Sequence, residues 1–502
     1  MYSKIDTTSF LKKNDHLNDS IDRSLVNEYT NKTVKDILFE IIKSAFLILA
    51  PFLTFFITEI TNILIFSHSD NTYIYLKQYI NIQCYYYFFG FIFFFGAMKY
   101  YESFINYDKR EIKLKSIFYN FSRIFYFFSA IIYLIPLSFL SYYPFVHFFK
   151  TNDITIFREF YANYFFFMPV IFYLTIIFQL NLQILKHFFS FYYLFGINLI
   201  LYWGSLFGFS FIVTNKISLI TYSLISSNLI NLIISHYEIK RNVFYLKDIS
   251  FFYLSDIMQL KTESFFTFVK YSSVKGILFT LSNPGIYLII FLSQIIPANF
   301  SNFIEKFSFA STLAFIFMSF PHAFILSLAK YYKNYLENSV YEHSQNTKTR
   351  YLKFFWFIVI FFSLFFSVLL LLLKTIFFRF LLNLPKNFLV ENMNSEISEV
   401  FYMYDFIVKF YSIFIFFDSF GISFQEIIKT FNDHSRNYLN FYKGISLVFI
   451  FFPIGIVTAN FLQWEFFWGF WIGVYSHMVF YLIVLLVVTY RNYYTSTFQI
   501  TY

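Results

Sequence analysis

The chain is poor in the residues that crosslink or punctuate a soluble fold. Its 502 residues hold one cysteine, twelve glycines and nine prolines, and only 13% are charged. The lone Cys84 lies in an apolar run, so no intramolecular disulfide can form. Scarce glycine and proline exclude collagenous and low-complexity disordered chains. A soluble domain carries about 25% charged residues, and half that share leaves a water-soluble enzyme without a polar surface. No Walker-A loop and no Gly-x-Ser-x-Gly elbow occurs, so ATP-driven transport and hydrolase chemistry lack support. No signal peptide is expected either. Residues 1–39 are polar, with Lys12-Lys13-Asn14-Asp15, and the first apolar run is too long for an h-region.

What is abundant is apolar and aromatic. Hydrophobic residues make up 58% of the chain, and 83 Phe, 44 Tyr and 5 Trp bring aromatics to 26%. A soluble core cannot hide so much, which leaves a polytopic helical membrane protein. The Phe, Tyr, Ile, Asn and Lys excess is also what AT-rich codons supply, so composition partly reflects the genome. The formal charge, 38 − 29 = +9, then sets membrane orientation before it suggests a nucleic-acid partner, and none is expected.

A bilayer core of about 30 Å needs roughly 20 apolar helical residues. At that window the sequence predicts twelve spans. The first six are Ser44–Phe66, Tyr79–Met98, Ile117–Leu140, Phe160–Leu182, Phe188–Val213 and Ile217–Ile234. The others are Val274–Ile296, Phe307–Leu328, Phe354–Leu373, Ile407–Ile428, Tyr438–Phe461 and Phe466–Tyr490. Their length argues against barrel strands, so the fold class is all-α. Basic residues cluster after every second span: Lys99 to Lys115, Lys240 to Lys261, Lys330 to Lys353, and Lys429 with Arg436 and Lys443. The positive-inside rule then puts both termini in the cytoplasm. Lys374, Arg379 and Lys386 after the ninth span are the main exception.

The polar stretch 240–265 divides the spans six and six and carries Phe251-Phe252-Tyr253-Leu254, which suits the membrane surface. The expected organisation is a cytoplasmic tail over 1–39, a six-helix bundle over 40–239, a linker over 240–265, a second six-helix bundle over 266–492, and a tail over 493–502. Lys99-Tyr100-Tyr101 after the second span recurs as Lys330-Tyr331-Tyr332 after the eighth. This supports two pseudo-symmetric bundles, a transporter architecture, although snorkelling Lys beside interfacial Tyr also explains each motif.

Three motifs then stand together in the last quarter of the chain. Asp418 is followed eleven residues later by Lys429 and then by the turn Asn432-Asp433-His434. Pro453-Ile454-Gly455 precedes Gly469-Phe470-Trp471-Ile472-Gly473. In these motifs the chain resembles the multidrug and toxic compound extrusion (MATE) family of drug/cation antiporters. Ser67-His68, and Met318 with Pro321, extend the resemblance toward the first bundle, over about residues 40–492. The resemblance implies a monomeric membrane antiporter without cofactor that moves small organic compounds against H⁺ or Na⁺. Two departures alter its acid set. The segment Ser282-Asn283-Pro284-Gly285-Ile286-Tyr287 has no acid where the family keeps a glutamate, and Ser282 and Tyr287 occupy the places expected to line the substrate cavity. Asn62 stands where several prokaryotic members have an aspartate, and Glu59 lies one turn earlier on the same face.

Asp418 lies eleven residues from both Ile407 and Lys429, or about 17 Å from each, hence near the middle of the tenth span. An acid there costs about 2.5–3.5 kcal/mol to insert and is expected to face a cavity, to exchange a proton or bind a cation, or to bond a neighbouring helix. Glu59 with Asn62, Thr58 and Thr61 forms a second oxygen-rich set for an ion, or a polar helix contact; Pro51 bends the helix two turns earlier. Phe417 and Gln425 flank Asp418 as cavity candidates, and Lys429 is a snorkelling cation or a gate contact. His322 and His477 lack metal-ligand spacing and read as packing. Two other functions stay open: a lipid-linked saccharide flippase, which twelve spans and an acidic mid-span residue disfavour, and a membrane transferase, which lacks its His/Asp pair.

Overall fold

The computed structural model describes residues 34–67, 112–131, 154–185, 193–243, 345–384, 395–431, 445–462 and 466–499, with isolated positions between them. Every described element is a helix. They are α1 (Val34–Ser67), α2 (Ile112–Ser129), α3 (Ile154–Asn163), α4 (Met168–Leu185), α5 (Tyr193–Ser210) and α6 (Lys216–Asn242). The second set is α7 (Gln345–Leu381), α8 (Ser395–Phe431), α9 (Phe452–Phe461) and α10 (Phe466–Gln499). Six described stretches are long and apolar enough to cross a membrane: Arg158–Leu182, Tyr193–Ser210, Lys216–Asn242, Phe355–Leu381, Ile397–Gln425 and Trp471–Tyr490. The second, seventh and eighth expected spans, the Lys-Tyr-Tyr repeat, Ser282, Tyr287 and His322 lie outside the described residues, apart from single helical positions such as Leu76, Tyr79 and Leu328.

Two expected spans are interrupted, each beside a proline. The fourth breaks into α3 and α4 around a 3₁₀ turn, Phe165–Phe167, ahead of Pro169. Proline has no N–H to give and its ring crowds the carbonyl four residues back, so the preceding turn tightens, with Phe167 and Met168 both donating to the Tyr164 carbonyl. The described part of the eleventh, from Ile445, carries a π-turn, Ser446–Phe451, just before Pro453. The wider turn relieves the same crowding in the opposite sense.

Elsewhere the helices outrun the apolar runs. α6 continues through Lys240 and Arg241, so the stretch expected as linker begins as helix, and these cations in its last turn complement the helix dipole. Asn215 caps the other end by accepting from the N–H groups of Ile217 and Ser218 at 2.9 and 3.1 Å, and donates to Glu159 of α3. α7 runs eight residues past the expected Leu373, which makes Lys374 and Arg379 helical. Lys374 pairs with Asp405 of α8, whose other oxygen meets Lys409 at 2.6 Å. Lys374, one of the three cations that break the charge alternation, is therefore half of an interhelical ion pair rather than a loop cation.

In the first bundle α6 packs on α4 and α5, and its buried face is mostly small and polar, with Ser218, Thr221, Ser223, Ser227, Asn231 and Ser235. Small residues let helix backbones approach where lipid removes the hydrophobic incentive to associate. In the second bundle α8 packs on α7 and α10, and α9 on α10. Large apolar side chains such as Phe207, Phe211, Leu372 and Val487 point outward, as a lipid solvent requires. The two bundles meet near the start of α1. Ile41 is buried in a cluster with Leu328, Phe355, Ile358 and Val359, and its carbonyl accepts from Ser327 Oγ at 3.1 Å.

Candidate functional site

α1 carries Glu59 and Asn62 one turn apart, and both are buried, Asn62 completely. One tyrosine joins them. Tyr79 Oη donates to Glu59 Oε2 at 2.8 Å and accepts from Asn62 Nδ2 at 2.7 Å. Tyr202 Oη of α5 donates in turn to the Asn62 carbonyl oxygen. The next residue, Trp203, donates from Nε1 to Thr61 Oγ1 at 3.3 Å, so α5 grips α1 at adjacent positions. The Thr58 and Thr61 hydroxyl protons go to their own helix, to the carbonyls of Thr54 and Ile57. Thr61 thus offers its oxygen, not its proton, to neighbours.

These bonds share one polarity. Tyr202 donates to Asn62, Asn62 to Tyr79, and Tyr79 to the carboxylate, so the string of dipoles points at Glu59. That arrangement suits an acceptor-only, ionised carboxylate. Rings close around it: Phe66 lies 5.3 Å from Tyr79, and Tyr164 5.5 Å from Tyr79. Such a site can release and regain a proton, or hold a monovalent cation against its charge. Tyr79 and Tyr202 were not singled out in the sequence, because in a chain with 44 tyrosines neither stands apart. A second buried string lies deeper in this bundle, where Tyr119 donates to Asn181 at 2.6 Å and Asn181 to Ser235 at 2.8 Å. It ties α2, α4 and α6 together.

In the second bundle Asp418 is half-buried on α8. Because α8 spans Ser395–Phe431, its midpoint falls at position 413, and Asp418 sits five residues, or about 7.5 Å, beyond it. Gln425, two turns along the same face, donates from Nε2 to Tyr481 Oη on α10, and Asp418 lies within electrostatic reach of that hydroxyl. Tyr481 stacks on His477, with rings 6.0 Å apart and 11° from parallel. His477 is buried, and its Nε2 lies 3.0 Å from Ser446 Oγ in the π-turn. The histidine that looked isolated in sequence is therefore seated among Ser446, Tyr481 and Phe451. Its i, i+4 spacing to Tyr481 was the available signal. Phe417 is half-buried with its ring edge against Phe416, and Lys429 falls in the last turn of α8.

Glu59 and Asp418 thus occupy separate clusters, one in each bundle. Among the described residues no group of three or more His, Cys, Asp or Glu side chains could hold a metal ion. These side chains offer the chemistry of two carboxylates, tyrosines, amides and one imidazole.

No protein-family model matches the sequence, and no curated protein is significantly similar to it. Solved structures are similar in fold. The eukaryotic MATE transporter AtDTX14 superposes with a TM-score of 0.62 at 14% identity, over 90% of this chain and 95% of that one. A multidrug resistance MATE family transporter of the MOP superfamily, in an outward-facing conformation, gives 0.60 at 11% identity, over 91% and 96%. The Vibrio cholerae MATE transporter VcmN in its bent form gives 0.52 at 12% identity, over 90% and 98%. The chain has the fold of the MATE transporters along nearly its whole length.

Proposed function

We propose that this protein is a secondary antiporter that exports organic, cationic compounds in exchange for H⁺ or Na⁺. It works as a monomer in a membrane, with both termini in the cytoplasm and without a cofactor. The shared fold supports the transporter class. The observation that carries the coupling is Glu59: an ionisable side chain buried in an apolar bundle, with a directed string of donors aimed at it. An acid at membrane depth costs about 2.5–3.5 kcal/mol to insert, which favours a use for it.

An antiporter must make ion and substrate binding mutually unfavourable, and the penalty is reciprocal. A carboxylate can do this by exchanging one positive charge for another. When Glu59 takes up a proton, the charge-assisted bond from Tyr79 becomes an ordinary one, roughly half as strong. The Tyr79–Asn62–Tyr202 string then loses its anchor, which loosens α1 from α5. Asp418 offers the equivalent exchange in the second bundle, with Phe417 and Gln425 beside it, Lys429 as a gate contact, and Ser282 and Tyr287 as cavity residues from the seventh span.

The test is transport of a labelled organic cation by purified protein in sealed vesicles under an imposed pH or Na⁺ gradient. Wild type moves the cation uphill. Asp418→Asn and Glu59→Gln reach the membrane in normal amounts, and one or both fail at uphill movement while retaining equilibrium binding. Wild-type export by both variants overturns the coupling role. Lack of gradient-driven movement by the wild type overturns the antiporter reading.

A further inference from the structure

We infer that His477 is a second protonatable group of the C-terminal bundle, a positioning residue whose charge sets the occupancy of Asp418. The inference rests on the antiport reading of Asp418 given above.

The first support is the seat itself. His477 is eleven residues, about 17 Å, into α10, and only 3% of its surface is exposed. Its polar neighbour at Nε2 is a hydroxyl, Ser446 Oγ at 3.0 Å. A hydroxyl can donate to a bare ring nitrogen or accept from a protonated one, so the contact survives either state of the imidazole. A carbonyl there would have fixed the ring as a donor, and an amide N–H as an acceptor. The π-turn supplies the hydroxyl. The wider coil of Ser446–Phe451 also presents the Phe451 ring edge-on to the imidazole at 5.5 Å.

The second support is the surrounding charge. The imidazole stacks on Tyr481, and an aromatic face stabilises a cation lying over it. The Tyr481 hydroxyl accepts from Gln425, and Asp418 lies on the same face of α8, seven residues earlier, within electrostatic reach of that hydroxyl. The elements packed on this part of α10 are α8, α9 and the π-turn. Among the described side chains, α8 brings Asp418 to the Tyr481–His477 stack, α10 brings Tyr481, and the π-turn brings the neutral Ser446 and Phe451. A proton on His477 therefore adds a positive charge to the ring stacked on the tyrosine that Asp418 reaches electrostatically.

The consequence is a coupled pair. An imidazole is charged in only one of its two states, so the pair interacts when His477 holds a proton. Its positive form favours the empty, ionised Asp418, and its neutral form favours Asp418 carrying a proton or cation. The two groups then titrate as a unit rather than singly.

The experiment is an infrared pH titration of the full-length protein in liposomes. The Asp418 carboxyl band is assigned by its loss in Asp418→Asn. In His477→Gln, which keeps a polar partner for Ser446, and in His477→Phe, which keeps the ring stack, the positive charge is gone. The Asp418 band should then titrate at least half a pH unit higher than in wild type. Carbon-13 labelled histidine read in Asp418→Asn against wild type reports the pair from the other side, so the test stands even if both His477 variants misfold. There one ring titration should move by a similar amount. Superimposable titrations in either arm overturn the inference. If the bands move but the wild type transports nothing, the pair stands and the antiporter reading falls; if transport is coupled and the bands stay put, the reverse holds.

Discussion

Gly455 of α9 and Gly473 of α10 touch backbone to backbone. A Cβ on Gly455 would lie 2.1 Å from the Gly469 carbonyl oxygen and 2.7 Å from the Gly473 nitrogen, and one on Gly473 would lie 2.6 Å from the Phe451 carbonyl oxygen. Two motifs on consecutive helices are thus the two halves of one helix crossing, of the small-xxx-small kind that lets membrane helices approach. Between the glycines of α10, Trp471 turns inward and stacks on Phe410 of α8 at 4.8 Å.

Gly455→Ala should therefore lower the stability of the purified protein by about 1–3 kcal/mol, the usual range for overpacking, read as a fall in its melting temperature. Gly421→Ala is the control. Nothing lies within 4 Å of a Cβ there, so the melting temperature should hold or rise slightly.

Tyr79→Phe keeps the ring packing against Phe66 and Tyr164 but removes the hydroxyl shared by Glu59 and Asn62. Stranding a buried acceptor costs about 1–3 kcal/mol. Its melting temperature should fall with Glu59 present, and by less when Glu59→Gln is already in place. Additive losses would show that the hydroxyl does not act through Glu59.

Lys374 and Lys409 both hold Asp405 and differ in exposure, 18% against 57% of the side chain. Lys374→Met should cost about 1–3 kcal/mol, as for a charge-assisted bond shielded from solvent. Lys409→Met removes an exposed i, i+4 pair and should cost only about 0.3–0.5 kcal/mol. Thermal unfolding of the two variants gives the order, and a larger loss at Lys409 would contradict it.

Ile41 and Leu328 share one buried cluster between the bundles. In a Cys84→Ser background, Ile41→Cys with Leu328→Cys should be joined by a short bismaleimide in the resting protein. The joined protein should no longer carry a labelled cation across vesicles. Failure to crosslink would mean that the bundles rest apart at this end.

Much of this was legible beforehand. Long uncharged runs set α7 and α10 because lipid leaves the backbone no partner but itself, and the three-residue spacing of Glu59 and Asn62 put both on one face of α1. What stayed hidden depends on contacts between distant segments. Lys374 looked like a loop cation until Asp405, thirty-one residues on, supplied its counter-charge. Pro169 and Pro453 sit inside apolar runs, where hydropathy alone does not say whether the helix tightens or widens before them. The helix of Asp418 begins at Ser395, twelve residues before the expected Ile407, because hydrogen bonding carries α8 past the apolar stretch at its start.

The contact at Ile41 is made by Leu328, Phe355, Ile358 and Val359, with one hydroxyl and no described ion pair. The described part of this seal offers no charge pair for salt to screen. It responds instead to temperature, because apolar association weakens as water cools. The balance between joined and parted bundles should therefore drift with temperature at constant salt and hold steady with salt at constant temperature.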